Sequence, residues 1–146
     1  MTIKRRGTAR WTGNLDTGEG HVSTESGALN APYDTASRFE DGNETNPEEL
    51  VGAAHAACYS MALTQLLSKE GHPPENVETD ATVEMEMDEG PEITRVVLST
   101  RGRVPSLDAD EFRTFAEDAE EQCPVSAALD ELDIEVEATL ESEPLS

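Results

Sequence analysis

Apolar residues along the chain recur with two different periods, and each period predicts a different kind of element. Residues 77–87 alternate between apolar and acidic positions, which is typical of a half-buried strand. Residues 93–103 are rich in branched side chains and follow a DEGP turn, so the two stretches predict a hairpin. Between residues 47 and 69, apolar positions recur every three or four residues, which predicts a long helix with one buried face.

The ends of this long helix carry local signals. Asn46 is suited to cap the helix, Pro47 to its first position, and Glu49 completes an Asn-x-x-Glu box. Gly71 follows the last apolar turn and predicts the helix end.

The flanking segments complete a mixed order of elements. Turn signals within residues 3–31 predict two or three short antiparallel strands, and the polar residues 32–45 predict a connecting loop. A second helix is predicted from the cap Asp108, and Pro124 ends it and begins a short third helix before a last strand. The order β-β-(β)-α-β-β-α-(α)-β predicts an α+β fold, and the length suits one domain over residues 1–146.

Charge narrows the classes of partner. The chain has 32 Asp and Glu against 10 Lys and Arg, a formal charge of -22, so nucleic acid is not expected as a partner. No apolar run reaches the length of about 18 residues that a membrane span needs, and residues 1–13 lack the apolar segment of a signal peptide. We therefore expect a soluble, cytoplasmic protein without a membrane partner, in a high-salt cytoplasm that screens its self-repulsion.

The two cysteines, Cys58 and Cys123, lie 65 positions apart, and no CxxC or Cys/His cluster accompanies them. No metal site or cofactor is expected, which leaves a redox pair or two buried thiols. Burial statistics favour a core position for Cys58, whereas Cys123 precedes Pro124 at a possible helix start, where the helix dipole lowers a thiol pKa. His55 stands three residues before Cys58, and an interfacial or capping role is favoured over a Cys-His nucleophile or half of a metal site.

Arg38 and Glu48 have ordinary explanations when they are taken singly. Arg38 is surrounded by carboxylates and predicts a surface ion pair, and Glu48 is an acid in the first turn of a helix. Taken together, the run RFEDGNETNPEELVGAAHAACYSMAL with CPVS downstream closely resembles the OsmC/Ohr family of thiol-dependent peroxidases, and its OsmC branch in particular.

The resemblance implies a fold, an assembly and a chemistry. It implies the OsmC-like fold, with antiparallel sheets and a long central helix, as an intertwined homodimer whose sites lie at the interface. By resemblance, Cys58 is the peroxidatic thiolate that becomes a sulfenic acid, and Cys123 is the resolving thiol that converts it to a disulfide. Arg38 holds the Cys58 thiolate and polarises the peroxide, and Glu48 orients Arg38. The implied substrates are organic hydroperoxides and hydrogen peroxide, and the implied reductant is a dithiol such as a lipoyl group, in oxidative and osmotic stress defence.

Helix geometry adds a constraint to these roles. Cys58 lies too deep in the predicted helix for the N-terminal dipole, so a cation such as Arg38 must lower its thiol pKa. Glu48 and Cys58 are separated by about 15 Å along one helix, at about 1.5 Å per residue. We therefore predict that Arg38 or Glu48 reaches Cys58 across a subunit interface, or that the helix start is displaced.

Two other functions use the same residues. One is a redox-inert binding protein, with Cys58 and Cys123 as core residues and an apolar ligand in the dimer pocket. The other is a Cys-His hydrolase that uses Cys58 and His55.

Overall fold

The computed structural model describes residues 1–40 and 42–141, which group into two compact units, Met1–Leu50 and the rest of the described chain from Val51. The elements are β1 (Gly7–Thr12), β2 (Glu19–Thr24), β3 (Asn30–Tyr33), α1 (Thr35–Phe39), α2 (Pro47–Lys69), β4 (Asn76–Glu86), β5 (Glu92–Arg103), α3 (Ala109–Gln122), α4 (Pro124–Ala128) and β6 (Asp133–Leu140). This order confirms the predicted α+β class. The proposed single domain over 1–146 remains a prediction, and residues 41 and 142–146 lie outside the described residues.

The first unit contains a three-stranded antiparallel sheet in the order β1-β2-β3. The rings of Trp11 and Tyr33 lie 5.5 Å apart on this sheet. Gly20 lies beneath them, and a Cβ there would be 2.5 Å from Tyr33 Cε1 and 2.7 Å from Trp11 Cε3. Glycine is therefore required for the two rings to pack on the sheet.

The loop predicted over residues 32–45 is partly wrong, because β3 extends to Tyr33 and α1 follows it. Asp34 Oδ1 accepts a hydrogen bond of 2.8 Å from Ser37 N and caps this short helix. The polar composition that predicted a loop thus includes a capping residue, and the capping bond starts a turn of helix.

The long helix α2 begins and ends where the sequence predicts. Asn46 Oδ1 accepts a hydrogen bond of 2.8 Å from Glu49 N. Glu49 Oε2 accepts from Thr45 Oγ1 at 2.7 Å, so only half of the expected capping box forms at Asn46. At the other end, Gly71 has φ +84 and follows the last residue of the helix by two positions.

Of the described helices, α2 is the one long and apolar enough to cross a membrane by length and composition. The core helix of a soluble protein meets the same criterion. Tyr59, Leu63 and Leu67 of α2 are fully buried in the protein. The absence of a membrane partner therefore stays a prediction.

The second unit contains a three-stranded sheet in the order β4-β5-β6. β4 and β5 are antiparallel, as predicted, with a bulge at Glu84 and Met85. β5 and β6 are parallel, so the predicted antiparallel arrangement needs correction at this one pair. The reason is the connection, since α3 and α4 carry the chain back across the sheet before β6 begins, as a parallel pair requires.

The core lies on one face of β5, where every second residue is buried, namely Val96, Leu98, Thr100 and Gly102. α2 and α3 both contribute to this core, and Tyr59 Oη donates a hydrogen bond of 2.7 Å to Ala116 O between them. The fully buried ring of Phe112 packs directly on Gly102. The core therefore joins both helices to the central strand.

Two arginines of β5 neutralise acids of the neighbouring strands. Arg95 forms ion pairs with acids of both β4 and β6, and Arg101 forms ion pairs with acids of β4. The partners are Glu84, Asp133 and Glu135 for Arg95, and Glu78 and Asp80 for Arg101. A single exposed ion pair adds little to the free energy of unfolding. Arg95, however, links β5 to both β4 and β6.

We predict that Gly102→Ala destabilises the protein by about 1–3 kcal/mol, the usual effect of overpacking a core. The added Cβ would lie 2.6 Å from Phe112 Cε1 and Cζ, and the buried ring has no free space to move into. Urea unfolding followed by circular dichroism measures the effect. Gly7→Ala is the matched control, since its Cβ meets nothing closer than Ser23 O at 3.9 Å. Equal midpoints for the two variants would contradict the packing.

Candidate active site

Arg38, in the last turn of α1, forms an ion pair with Glu48 in the first turn of α2. Arg38 Nη2 lies 2.7 Å from Glu48 Oε1, and Arg38 Nε donates a hydrogen bond of 2.8 Å to the same oxygen. The Arg38 side chain is 32% exposed and the Glu48 side chain 13% exposed. The guanidinium is thus fixed by a mostly buried carboxylate, while part of its surface stays open to a ligand.

The loop between α1 and α2 holds these two residues together. Asn46 starts α2 with its Oδ1 and donates a hydrogen bond from Nδ2 to Ser37 O at 2.8 Å. Ser37 Oγ accepts a hydrogen bond of 3.0 Å from Glu44 N. Because one amide side chain bonds to both helices, it fixes the distance between α1 and the first turn of α2.

The ion pair leaves polar groups unused on both sides. Glu48 Oε2 is buried and has no hydrogen-bond partner among the described residues. A guanidinium has five N–H donors, and Glu48 Oε1 engages two nitrogens, so the pair does not exhaust the donors of Arg38. Arg38 therefore has the chemistry to bind an anion as well as Glu48.

A small, mostly apolar cleft lies beside Arg38 within the first unit. Its volume is about 240 Å³. The lining residues are Trp11, Leu15, Tyr33, Asp34, Thr35, Arg38 and Pro47. The cleft places a cation at the edge of an aromatic and aliphatic wall, an arrangement suited to a molecule with an apolar body and one polar group.

Cys58 and Cys123 lie together in the second unit, and neither forms a disulfide. Cys58 is on α2, and Cys123 lies between α3 and α4, where it ends one helix and caps the next in an extended conformation (φ -78, ψ 117). Pro124 at the first position of α4 prevents α3 from continuing. The proline thus creates the turn that presents Cys123 to Cys58.

The environment of Cys58 disfavours its thiolate. Burial raises the pKa of the Cys58 thiol, a hydrogen bond from the Val125 N–H lowers it, and the adjacent Cys123 thiol raises it, with a net increase above the ordinary value. No Lys or Arg among the described residues of the unit from Val51 onward contributes to this shift. Cys58 therefore requires a cation from elsewhere if it is to react as a thiolate at neutral pH.

His55 is fully buried, and its Nε2 lies 2.7 Å from Ser126 Oγ of α4. The expectation of an interfacial or capping histidine is therefore wrong, because the ring belongs to the core. Burial lowers the pKa of His55, so the ring is neutral at physiological pH. Because His55 Nε2 is hydrogen-bonded to Ser126 Oγ, this nitrogen is not available as the base that a Cys-His hydrolase would need.

The predicted site residues thus form two pairs, Arg38 with Glu48 and Cys58 with Cys123, each within one compact unit. Sequence reasoning missed the Val125 N–H and Ser126. The signal was available, since His55-x-x-Cys58 and Cys123-x-x-Ser126 have the same spacing of one helical turn. In the described chain, no group of three or more His, Cys, Asp or Glu side chains is arranged to hold a metal ion.

Comparison with known proteins gives close relatives. The profile of OsmC-like proteins matches residues 40–139. The chain is 47% identical over 131 residues to peroxiredoxin OsmC of Escherichia coli K12, covering 88% of this chain and 92% of that protein. It is 28% identical over 101 residues to organic hydroperoxide resistance protein-like 2 of Staphylococcus epidermidis, covering 68% and 71%. The higher identity to OsmC agrees with the branch indicated by the sequence.

The fold is shared with solved structures of the same group. The organic hydroperoxide resistance protein OhrB of Bacillus subtilis superposes with a TM-score of 0.73 at 26% identity, covering 95% of this chain and 98% of that one. An OsmC-like protein of Mycoplasma pneumoniae gives a TM-score of 0.76 at 17% identity, covering 97% and 100%, which supports the fold alone. With its family profile, its relatives and its fold in agreement, the chain belongs to the OsmC/Ohr family.

Proposed function

We propose that this protein is a cysteine-based peroxidase that reduces organic hydroperoxides, and hydrogen peroxide as a second substrate, with Cys58 as the reacting group. The observation that carries the proposal is the contact between the reduced thiols of Cys58 and Cys123 on two different elements. The relatives named peroxiredoxin and organic hydroperoxide resistance protein support the same chemistry. A role in oxidative and osmotic stress defence follows from this activity.

The first step transfers one oxygen atom to Cys58. The Cys58 thiolate attacks the terminal oxygen of the hydroperoxide, an S–O bond forms and the O–O bond breaks. The alkoxide leaves and takes up a proton as the alcohol, while the sulfur is oxidised by two electrons to the sulfenic acid. The Val125 N–H supports the thiolate by its hydrogen bond.

The second step joins the two cysteines. The Cys123 sulfur attacks the sulfur of the Cys58 sulfenic acid, a disulfide forms and water leaves. A dithiol reductant, for which a lipoyl-type group is our candidate, then transfers two electrons and two protons to the disulfide and restores both thiols. No cofactor or metal is needed for this cycle.

Arg38 supplies the positive charge that the thiolate requires. Cys58 is the twelfth residue of α2, beyond the reach of the N-terminal dipole, and its pKa is raised by burial. Arg38 is permanently charged and retains free donors, so it can stabilise both the thiolate and the departing alkoxide. Glu48 acts as a positioning residue, because its buried carboxylate fixes the guanidinium.

We propose that the active unit is an intertwined homodimer in which Arg38 and Glu48 of one subunit act on Cys58 of the other. α2 begins at Pro47, so the alternative prediction of a displaced helix start is wrong. One side of α2 is exposed and apolar, formed by Ala53, Ala54, Ala57 and Met61. Met61 is 73% exposed, and small alanines allow a second helix to approach closely, so a second copy of the chain is the occupant we propose.

The substrate preference follows from the cleft beside Arg38. Its aromatic and aliphatic wall suits the alkyl part of an organic hydroperoxide, while Arg38 binds the peroxide oxygens. The volume of about 240 Å³ limits this cleft to a small group, and the dimer would enlarge it.

The cellular setting remains part of the proposal. We infer a single domain over residues 1–146, since the family match over 40–139 crosses the boundary between the two compact units. A cytoplasmic location at high salt, without nucleic acid or membrane partners, fits the charge of -22.

The proposed activity predicts distinct outcomes for the two cysteines. With cumene hydroperoxide and dihydrolipoamide in molar salt, Cys58→Ser abolishes turnover. With one equivalent of cumene hydroperoxide and no reductant, Cys123→Ser consumes the peroxide but stops at the sulfenic acid. Mass spectrometry of the wild type shows the loss of two hydrogens that marks the disulfide. A wild-type protein whose mass stays unchanged under peroxide would support the redox-inert binding protein instead, for which the raised pKa of Cys58 is the favouring observation.

The proposed role of Arg38 predicts that its removal raises the pKa of the Cys58 thiol. Without the cation, burial keeps the Cys58 pKa above the ordinary value of about 8.5, so less thiolate exists at pH 7. Arg38→Met therefore shifts the thiolate absorbance titration at 240 nm to higher pH and slows the peroxide reaction at pH 7 by about 10²-fold, the usual loss for such a stabilising group. Arg113→Met is the control, because Arg113 lies on the exposed side of α3 and pairs only with Asp110 among the described acids. An unchanged titration for Arg38→Met would refute its role.

If Arg38 of one subunit acts on Cys58 of the other, two inactive variants should restore activity when their subunits form mixed dimers. Mixing Arg38→Met with Cys58→Ser subunits creates dimers with one intact site and one doubly defective site, so activity returns. The control mixture, Cys58→Ser with Cys123→Ser, restores no complete cysteine pair, because both thiols lie within the same unit of one chain. Mixed dimers that form but stay inactive in the first mixture would show that Arg38 acts within its own subunit.

A further inference from the structure

We propose that His55 and Ser126 form a clamp that positions Cys123 for disulfide formation, so that the Cys58 sulfenic acid is captured before a second peroxide oxidises it. The inference rests on the proposed peroxidase function and assigns positioning roles to two residues that never contact the peroxide. It identifies what holds the resolving thiol in place.

The clamp and the cysteine pair are two consecutive contacts between α2 and the segment formed by Cys123 and α4. His55 precedes Cys58 by three residues on α2, and Ser126 follows Cys123 by three residues on α4. Residues three apart lie on one helix face, so the His55–Ser126 bond is one helical turn from the two thiols. The bond at 2.7 Å spans 71 residues of sequence. The His55–Ser126 bond therefore restricts the position of Cys123 relative to Cys58.

α4 is too short to hold its position alone, and contacts with other elements fix it, among them the packing of Val125 against the core and the bond of His55 to Ser126. It has five residues, Pro124–Ala128, and its cap Cys123 makes no side-chain capping bond. A helix this short is unstable by itself in water. His55 is fully buried and Ser126 is 3% exposed, so their bond is shielded from competition with water. The local position of α4 thus depends on tertiary contacts, and the His55–Ser126 bond is one of them.

The unpaired atom of His55 determines the direction of this hydrogen bond. His55 Nδ1 is buried without a partner among the described residues. A buried N–H without an acceptor is rarer and costs more than an unused lone pair, so the proton of the neutral ring lies on Nε2. His55 therefore donates to Ser126 Oγ. Neither atom takes part in the thiol chemistry, so the same bond can persist in the thiol, sulfenic acid and disulfide states.

The chemical consequence is a competition for the sulfenic acid. Attack by the Cys123 sulfur forms the disulfide and releases water, whereas a second hydroperoxide adds another oxygen, gives the sulfinic acid and releases a second alcohol. Disulfide formation requires narrow limits on the separation and direction of the two side chains. If α4 is less firmly held, Cys123 is less often in position to attack. The sulfenic acid then persists longer, and more of it is oxidised to the sulfinic acid.

The test measures how the oxidised protein divides between these products. Wild type and Ser126→Ala are treated with increasing cumene hydroperoxide, and mass spectrometry separates the disulfide, two hydrogens lighter, from the sulfinic acid, two oxygens heavier. We expect disulfide formation in Ser126→Ala to slow by about tenfold, the effect of losing one buried hydrogen bond. The sulfinic fraction then rises with peroxide concentration. This product ratio is set after the sulfenic acid has formed, so it reports on disulfide formation whatever the rate of the first oxidation.

Two further comparisons separate positioning from general stability. Ser60→Ala removes a matched hydroxyl on α2, which bonds to Thr79 Oγ1 of β4 at 2.8 Å, and leaves the product ratio unchanged. His55→Leu removes the donor at similar volume and behaves like Ser126→Ala, whereas His55→Gln retains an N–H donor and recovers most of the lost disulfide rate. The histidine pair provides the test if Ser126→Ala fails to fold.

The outcomes distinguish this inference from the proposed function. Wild-type product ratios in folded Ser126→Ala and His55→Leu would overturn the clamp while the peroxidase stands. Equal losses in His55→Leu and His55→Gln, with no recovery of the disulfide rate, would overturn it as well. A wild-type protein in which Cys58 is never oxidised would overturn the peroxidase, and the clamp with it.

Discussion

Desolvation of Cys58 is the constraint on which the site depends. The thiol lies among core residues, and its burial opposes the charged form that every nucleophilic role requires. The chain has only 10 Lys and Arg, and Arg95 and Arg101 are engaged in ion pairs on the sheet. The cation that we propose for the thiol has to be fixed in place and has to keep hydrogen-bond donors free for a second anion. Arg38, held by the buried carboxylate of Glu48, meets both conditions.

Much of this fold could be predicted because its signals are local. Asn46 and Pro47 mark the start of α2, and Asp108 and Glu111 form a complete capping box at the start of α3. The alternation within β4 predicted its half-buried face. Each of these features is determined by residues within one turn or one strand of each other, so the sequence alone contains the relevant physics.

The parts that could not be predicted depend on contacts between distant segments. The parallel pairing of β5 with β6 requires the path of the intervening helices, which no local pattern specifies. The burial of His55 depends on Ser126, 71 residues away, and its polar side chain gave no sign of a core position. For the site, family resemblance indicated Cys58, Cys123, Arg38 and Glu48, while burial statistics alone favoured a structural role for Cys58.

The position of Cys123 at the joint between α3 and α4 has a consequence for durability. In the oxidised state that we propose, a covalent link between Cys58 and Cys123 would close a loop of 65 residues through the core helix. Closing a loop of that size removes freedom from the unfolded chain equivalent to about 4 kcal/mol in the chain-entropy treatment. The disulfide form, which exists after peroxide has been consumed and before the reductant acts, would then resist unfolding more than the dithiol form. Oxidative stress would thus stabilise the protein that removes the peroxide.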